Sequence, residues 1–282
     1  MPKLVGIVVR TDREEAFRLA SKMINYLEAK GIHVMLEPEL ATYTDREDLT
    51  TPVENMRGDL IITIGGDGTI LRTCLHLPKP EPPIFAVNMG VRGFLTEVPP
   101  ERALEAIDRY LDGSYILKRC SKLASFIGDR RLPDALNEVF ITSRTLAKLL
   151  HVRVWKDGII VTDCRADGVI IASQVGSTGY SLSGGGPIVD PDLDAFVLTP
   201  VCPLTVNRPI VFSADSVLTI ELLRPDVASV VVDGHYQTQI DKENRSVVIK
   251  RSEYETSFVR FGENFYQRLK TRLMFYRGEN VE

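Results

Sequence analysis

The segment Gly65-Gly66-Asp67-Gly68-Thr69 combines three glycines with a single carboxylate. It lies between an apolar run that predicts a buried strand and a segment that predicts a helix. In open α/β sheets this is where ligands bind. The flexible backbone and N–H groups of Gly66 and Gly68, with the helix N-terminus, favour a phosphate. A carboxylate in such a loop indicates proton acceptance, hydroxyl binding or metal binding. The alternative is a tight turn in which Asp67 only caps Thr69.

The second candidate site is the segment from Val175 to Pro187, which is rich in glycine and hydroxyl residues and contains one aromatic residue, Tyr180. Such a composition is unfavourable for a strand or a helix interior. Its backbone and hydroxyl groups could hydrogen-bond a ligand, and Tyr180 could offer a flat surface to a ring. The alternative is a flexible surface loop.

Two further polar pairs precede apolar runs. Asn137-Glu138 comes before residues 139–141, where an amide and a carboxylate could bind ribose hydroxyls or an adenine edge. Two polar residues at the start of a strand are also commonplace. Arg165 and Asp167 precede residues 168–170, and their alternative role is a surface ion pair of little energetic weight. The four histidines lack metal-ligand spacing, so no metal-ligating set is predicted.

The first hundred residues alternate strand and helix signals, which predicts a parallel sheet with helices on its faces. Strands are expected at 4–9, 32–36, 60–64 and 84–87. A capping box at Asp12 and Glu15 is expected to begin the first helix, which Gly31 ends. A second helix is expected over 69–77, and a third between Pro99-Pro100 and Gly113.

The pattern changes after Gly113 to a series of short strands, which predicts an antiparallel sandwich or layered sheet. The strands are expected at 115–117, 149–154, 158–161, 169–172, 196–198, 210–212, 217–222, 230–232 and 247–249. Phe265, Leu269 and Leu273 indicate a final short helix. The predicted domains are 1–99, with 262–282 packing back on it, and 100–261.

Bulk properties exclude several classes of protein. The net charge is -4 and no basic run occurs, so nucleic acid is not a predicted partner. No apolar stretch approaches the roughly 20 residues of a membrane helix, so no membrane is predicted. The four cysteines are widely separated, which favours a reducing cytoplasm over a disulfide framework.

Together these segments resemble the NAD kinases. The glycine-rich segment is similar to the signature motif of that family, Asn137-Glu138 to its Asn-Glu pair, and Asp167-Gly168 with Gly176–Ser181 to its third block. Gly93-Phe94-Leu95 and residues 207–210 are also similar. Diacylglycerol and sphingoid-lipid kinases share the first motif, so the combination of blocks carries the resemblance. The family usually has alanine where this chain has Gly179.

The resemblance implies an α/β domain followed by a β-rich domain, and phosphorylation of the adenosine ribose 2′-hydroxyl of NAD by ATP or polyphosphate. Asp67 would accept the proton, and magnesium would arrive with the donor phosphates. A homodimer or homotetramer is implied, with neighbouring subunits completing the site. The implied ligand-binding residues are Gly66, Gly68, Arg72, Phe94, Asn137, Glu138, Lys148, Arg165, Asp167, Thr178, Gly179, Tyr180, Ser181, Leu182 and Ser183.

Two other functions remain open at this point. A lipid kinase would need an apolar groove for an acyl chain, and the polar stretch Thr178–Ser183 argues against one there. A non-catalytic dinucleotide sensor would keep the binding residues without turnover. An aspartate among phosphate-binding glycines favours the enzyme.

Overall fold

A computed structural model describes residues 2–90, 93–145, 148–262 and 265–270. Its described residues form two compact units. One contains the residues up to Arg119 together with those from Thr256 onward, and the other is Cys120–Glu255. Among the described residues, no helix is both long enough and apolar enough to cross a membrane.

The first unit is an α/β layer with a parallel sheet in the order β2-β1-β3-β4. Its central strands are almost entirely apolar and buried, as expected for a sheet covered on both faces. The four strands are β1 (Leu4–Val9), β2 (His33–Leu36), β3 (Leu60–Gly65) and β4 (Ile84–Asn88). The helices are α1 (Glu14–Ala29), α2 (Pro38–Tyr43), α3 (Asp67–His76) and α4 (Ala103–Leu111).

The start of α1 differs from the sequence prediction. The N-cap is Arg13 and no side chain caps the helix, so the expected capping box at Asp12 is wrong. Asp12 instead accepts a hydrogen bond from Nε of Arg10 at 2.7 Å, because a guanidinium two residues away competes for the carboxylate. The C-terminal ends of α1 and α4 agree with the prediction, since Gly31 and Gly113 adopt φ of +75° and +77°.

The second unit contains antiparallel sheets, as the sequence pattern predicts. Its first strands are β5 (Ile116–Ile127), β6 (Arg130–Arg131), β7 (Glu138–Ser143), β8 (Leu150–Lys156), β9 (Ile159–Ala166) and β10 (Gly168–Ser173). After the short helix α5 (Tyr180–Ser183) come β11 (Ala195–Val201), β12 (Ile210–Ser213), β13 (Leu218–Arg224), β14 (Ala228–Val232), β15 (Tyr236–Ile240) and β16 (Ser246–Arg260).

One sheet of the second unit has the strand order β12-β11-β10-β7-β14-β15. The core beside it contains Ile170, Ala172 and Val197, all fully buried. A second antiparallel set runs β16-β13-β8-β9, and β5 pairs with β16. The strand β7 lies in the middle of the six-stranded sheet, so the residues at its start are held from both sides.

The unit boundaries differ from the domain limits expected at 99/100 and 261/262. Ala103, Ala106 and Ile107 of α4 pack into the core of the first unit. Phe258, near the end of β16, pairs in parallel with Ile84 of β4. These contacts assign α4 and the end of β16 to the α/β layer. The helix α6 (Phe265–Leu269) follows, and its Phe265 ring lies 6.4 Å from the ring of Phe94; the expected helical residue Leu273 lies outside the described residues.

Candidate active site

The glycine-rich segment forms the sharp connection from β3 to α3. A β carbon at Gly65 would lie 2.2 Å from Oγ1 of Thr69, so this position accommodates only glycine. At Gly66 and Gly68 a β carbon would meet nothing within 4 Å among the described residues. The loop therefore presents open backbone at the carboxyl edge of a parallel sheet, where a phosphate can approach.

Asp67 is the first residue of α3, and backbone N–H groups hold its carboxylate. The N–H of Phe94 donates to Oδ2 at 2.8 Å, and the N–H groups of Leu95 and Thr96 donate to Oδ1 at 3.1 and 3.4 Å. Phe94, which the sequence predicted at the site, thus contributes its backbone. A carboxylate fixed in this way has a defined direction, as a proton acceptor requires.

Arg72, which was expected to reach a phosphate, forms an ion pair in the structure. Its guanidinium donates to Glu37 at 3.0 Å and to the carbonyl of Val9 at 3.0 Å. Burial raises the pKa of Glu37, and the charge of Arg72 opposes that shift. Arg72 therefore joins the ends of β1 and β2 to α3, and its contact with a phosphate stays a prediction.

Arg10 is a cationic residue near the glycine loop that sequence reasoning missed. It follows β1 directly, and its Cβ lies 3.2 Å from the position of a β carbon at Gly65. Its Nη1 lies 3.6 Å from the position of a β carbon at Gly90. A charged residue immediately after a buried strand was the available signal, because such positions line the carboxyl edge of the sheet.

Asn137 and Glu138 lie at the start of β7, and each is 8% exposed. Ser173 holds their backbone, since its N–H donates to the carbonyl of Asn137 at 2.8 Å and its hydroxyl to the carbonyl of Leu136 at 2.6 Å. Oδ1 of Asn137 and Oε2 of Glu138 are buried without a hydrogen-bond partner among the described residues. Buried oxygens of this kind are costly unless a ligand satisfies them.

The segment after β10 packs against this pair. It forms a 3₁₀ turn at Gly176–Thr178 and then α5. A β carbon at Gly176 would lie 2.0 Å from the carbonyl oxygen of Asn137. At Gly179 it would lie 2.9 Å from Oε2 of Glu138 and 3.1 Å from Nδ2 of Asn137. The two sequence motifs therefore meet, with glycines at the points of contact.

The side chains of this segment divide into internal and accessible ones. The buried hydroxyl of Ser181 forms a hydrogen bond with that of Thr199 at 2.7 Å. The hydroxyl of Thr178 donates to the carbonyl oxygen of Val175 at 3.1 Å. The Tyr180 ring is 44% exposed and meets Phe140 edge-to-face at 5.1 Å. Leu182 is half-buried and Ser183 is exposed. The ring of Tyr180 is thus held by its contact with Phe140 and is accessible to a ligand.

The electrostatic environment of Glu138 is unusual. Burial and, after it, the negative charge of Asp233 raise the pKa of Glu138 to about 8, against the opposing effect of the backbone N–H of Tyr180. At neutral pH the Glu138 carboxyl group is therefore largely protonated in the ligand-free protein, and it can donate as well as accept a hydrogen bond.

Lys148, Arg165 and Asp167 are not brought to this pair. Glu138 pairs with Ala172, whereas Gly168 pairs with Thr142 at the other end of the same two strands. Asp167, five residues before Ala172, thus lies roughly 17 Å from Glu138, at about 3.3 Å per strand residue. All three residues are exposed, and Leu150 near Lys148 pairs with Ala166.

These features define a class of protein: a nucleotide-dependent kinase with an oriented carboxylate in a phosphate-binding loop and a second unit that presents a buried amide and carboxyl beside an accessible ring. Family models describe the same organisation. The ATP-NAD kinase N-terminal domain matches residues 5–115, and the ATP-NAD kinase C-terminal domain matches residues 136–261. The chain belongs to the NAD kinase family.

Individual relatives agree. An NAD kinase of Methanothermobacter thermautotrophicus is 39% identical over 273 residues, which are 96% of each chain. The crystal structure of an NAD kinase from Archaeoglobus fulgidus in complex with ATP is 30% identical, with a TM-score of 0.76 over 95% of this chain and 96% of that one. Yeast NADH kinase, at 24% identity, shares the fold with a TM-score of 0.88 over all of this chain and 91% of its own.

Proposed function

We propose that this NAD kinase transfers a phosphoryl group to the adenosine ribose 2′-hydroxyl of NAD and so makes NADP. ATP is the proposed donor, in line with the ATP complex of the Archaeoglobus relative, and polyphosphate is the alternative. The observation that carries the proposal is Asp67, a carboxylate held by three backbone N–H groups beside open glycine backbone.

Phosphoryl transfer depends on positioning and charge neutralisation more than on covalent help. The backbone of Gly66 and Gly68 binds phosphate oxygens, and Arg10 adds a positive charge nearby. Asp67 orients the acceptor hydroxyl and takes its proton as the new oxygen–phosphorus bond forms. The bond between that phosphorus and the bridging oxygen of the donor breaks, which releases ADP or the shortened polyphosphate. The fixed direction of the carboxylate supports this role, because a general base must point at the proton it removes.

The second unit binds the dinucleotide. The unpartnered oxygens of Asn137 and Glu138 take hydrogen bonds from nucleoside groups, and the ring of Tyr180 packs on a base. The small residues of the 176–183 segment let the ligand approach its backbone. Burial of Oδ1 of Asn137 and Oε2 of Glu138 without partners among the described residues supports this role, because the ligand removes the cost of leaving these two oxygens unsatisfied.

Magnesium is the divalent ion that the family implies. The described residues fit an ion bound chiefly by donor phosphates, because both oxygens of Asp67 already accept backbone N–H groups and form no carboxylate cage. The open space at Gly66 and Gly68 admits such a complex. When bound, the ion neutralises developing charge on the phosphates.

We further propose that the protein is a cytoplasmic homodimer or homotetramer. Lys148, Arg165 and Asp167 are exposed and lie at the far end of the strands from Glu138. We propose that they bind the dinucleotide in the site of a neighbouring subunit. The four cysteines are widely separated in the sequence and form no CxxC pair, which supports a reducing compartment.

One assay tests the proposal against its alternatives. The protein is incubated with magnesium, NAD and either ATP or polyphosphate, and NADP is measured. NADP formation with either donor is the expected result. NAD binding without NADP from either donor would indicate a sensor, and phosphorylation of diacylglycerol instead of NAD would indicate a lipid kinase.

A further inference from the structure

Asp233 lies in the short loop between β14 and β15. It adopts φ of +48° and Gly234 adopts +70°, which is the backbone of a tight hairpin turn. Asp-Gly is a common sequence for such turns, so the sequence alone gives Asp233 no further role. However, the residue is only 2% exposed, which is rare for an aspartate.

The Asp233 carboxylate binds the backbone of a different strand. The N–H of Leu136 donates to Oδ2 at 2.7 Å, and the N–H groups of Asn137 and Glu138 donate to Oδ1 at 2.8 and 2.9 Å. The N–H of Asp233 in turn donates to the carbonyl of Glu138 at 3.0 Å. These bonds fix the backbone that leads into β7.

That backbone carries the side chains of Asn137 and Glu138, whose Oδ1 and Oε2 atoms are buried without a partner among the described residues. We propose that Asp233 is a positioning residue, which holds the backbone of Asn137-Glu138 so that both side chains face the dinucleotide. The role in ligand binding rests on the proposed function, whereas the hold on the backbone does not.

The charges around the pair give this arrangement a measurable signature. Asp233 raises the pKa of Glu138, second only to burial, and the N–H of Tyr180 lowers it. Burial raises the pKa of Asp233 itself, and its three N–H donors and the positive charge of Lys122 lower it. His235 also faces this loop, with Nδ1 2.7 Å from the carbonyl oxygen of Asp233. Removing the charge of Asp233 therefore lowers the pKa of Glu138.

The experiment follows the Glu138 carboxyl carbon by NMR as pH is varied, without ligand. Asp233→Asn tolerates the left-handed backbone but loses the charge and one acceptor oxygen. Asp157→Asn is the matched control, because Asp157 has φ of +50° in another Asp-Gly hairpin but is exposed. We expect a midpoint near pH 8 in the wild type and in Asp157→Asn, and a lower midpoint in Asp233→Asn.

NAD affinity is measured on the same three proteins by calorimetry. Loss of one charge-assisted hydrogen bond predicts an increase in Kd of about 10-fold or more in Asp233→Asn. The proposal would be overturned if Asp233→Asn had lower thermal stability but kept the wild-type Glu138 midpoint and NAD affinity. Asp233 would then act only in the turn. A wild type that binds no NAD would contradict the proposed function and leave the titration valid.

A measurement on the wild type covers the case in which Asp233→Asn does not fold. Amide hydrogen exchange at Leu136, Asn137 and Glu138 reports directly on the bonds to Asp233. Strong protection of all three amides is expected, and rapid exchange at these amides would also overturn the proposal.

Discussion

Gly93 and Asp67 are in such close contact that a β carbon on Gly93 would lie 2.0 Å from Oδ1 of Asp67. The same β carbon would lie 2.4 Å from Oγ1 of Thr96. The carboxylate therefore occupies the space that any side chain at residue 93 would take. The orientation of Asp67 depends on a glycine 26 residues further along the chain as well as on the glycine-rich loop itself.

Gly93→Ala is expected to displace the Asp67 carboxylate and to lower kcat by about 100-fold, since a shift of about 1 Å at a reacting group has this effect. NADP formation under saturating substrates is the measurement. Gly90→Ala is the control, because its β carbon would meet its nearest atom at 3.6 Å, an ordinary contact. Equal kcat in the two variants would contradict the packing argument.

Gly176→Ala and Gly179→Ala are expected to differ strongly. At Gly176 the new carbon meets the backbone oxygen of Asn137, which cannot move without disturbing β7, and overpacking of this kind costs about 1–3 kcal/mol. At Gly179 it meets the ends of two side chains, which can shift. We expect Gly176→Ala to lower the Tm and raise the Kd for NAD by about 10-fold, and Gly179→Ala to change neither appreciably. Comparable losses in both would contradict this account.

Tyr180 is expected to bind a ring of the ligand through its exposed face. Tyr180→Ala should raise the Kd for NAD by about 10-fold, as loss of one stacked base predicts, whereas Tyr180→Phe should bind as the wild type does. Tyr43→Ala is a matched control, since Tyr43 is 43% exposed and also packs on a phenylalanine, Phe17. An unchanged Kd in Tyr180→Ala would remove the stacking role.

Arg72→Ala is expected to destabilise the protein in a pH-dependent way. Burial already raises the pKa of Glu37, and loss of Arg72 raises it further. The folded state of the variant is therefore more stable with Glu37 protonated, and it loses stability as the pH rises and Glu37 must ionise. The loss in unfolding free energy should be small near pH 4.5 and grow to about 2 kcal/mol or more at pH 8. Urea unfolding at the two pH values measures it.

Arg18→Ala is the control for that series, because the Arg18–Glu14 pair is exposed on α1. Its effect should stay within about 0.5 kcal/mol at both pH values. An equal loss of unfolding free energy in Arg72→Ala at both pH values would contradict the assignment of that loss to the buried pair with Glu37.

The sequence predicts the features that local pattern determines. A buried apolar run followed by three glycines predicts the β3–α3 loop, and alternating strand and helix periods predict the parallel sheet. The binding role of Asn137-Glu138 stays a prediction, which the unsatisfied Oδ1 and Oε2 atoms support. The strand β15 was missed, because Tyr236–Ile240 is mostly polar and contains no apolar run.

Contacts between distant segments could not be predicted from pattern. Arg72 pairs with Glu37, 35 residues earlier, and no local signal distinguishes that partner from a phosphate. The register of β7 against β10 separates Asp167 from Glu138, although the sequence analysis assigned both residues to dinucleotide binding. Asp233 was visible only as a turn residue, since its three backbone partners lie more than 90 residues away.

The most direct test of the whole account is the turnover of Asp67→Asn. The substitution keeps the size of the side chain and removes its ability to accept the proton of the 2′-hydroxyl. We predict that kcat for NADP formation falls by about 10²–10⁴-fold while the Kd for NAD stays within a few-fold of the wild type. Near-normal turnover in Asp67→Asn would contradict the role of Asp67 as the proton acceptor.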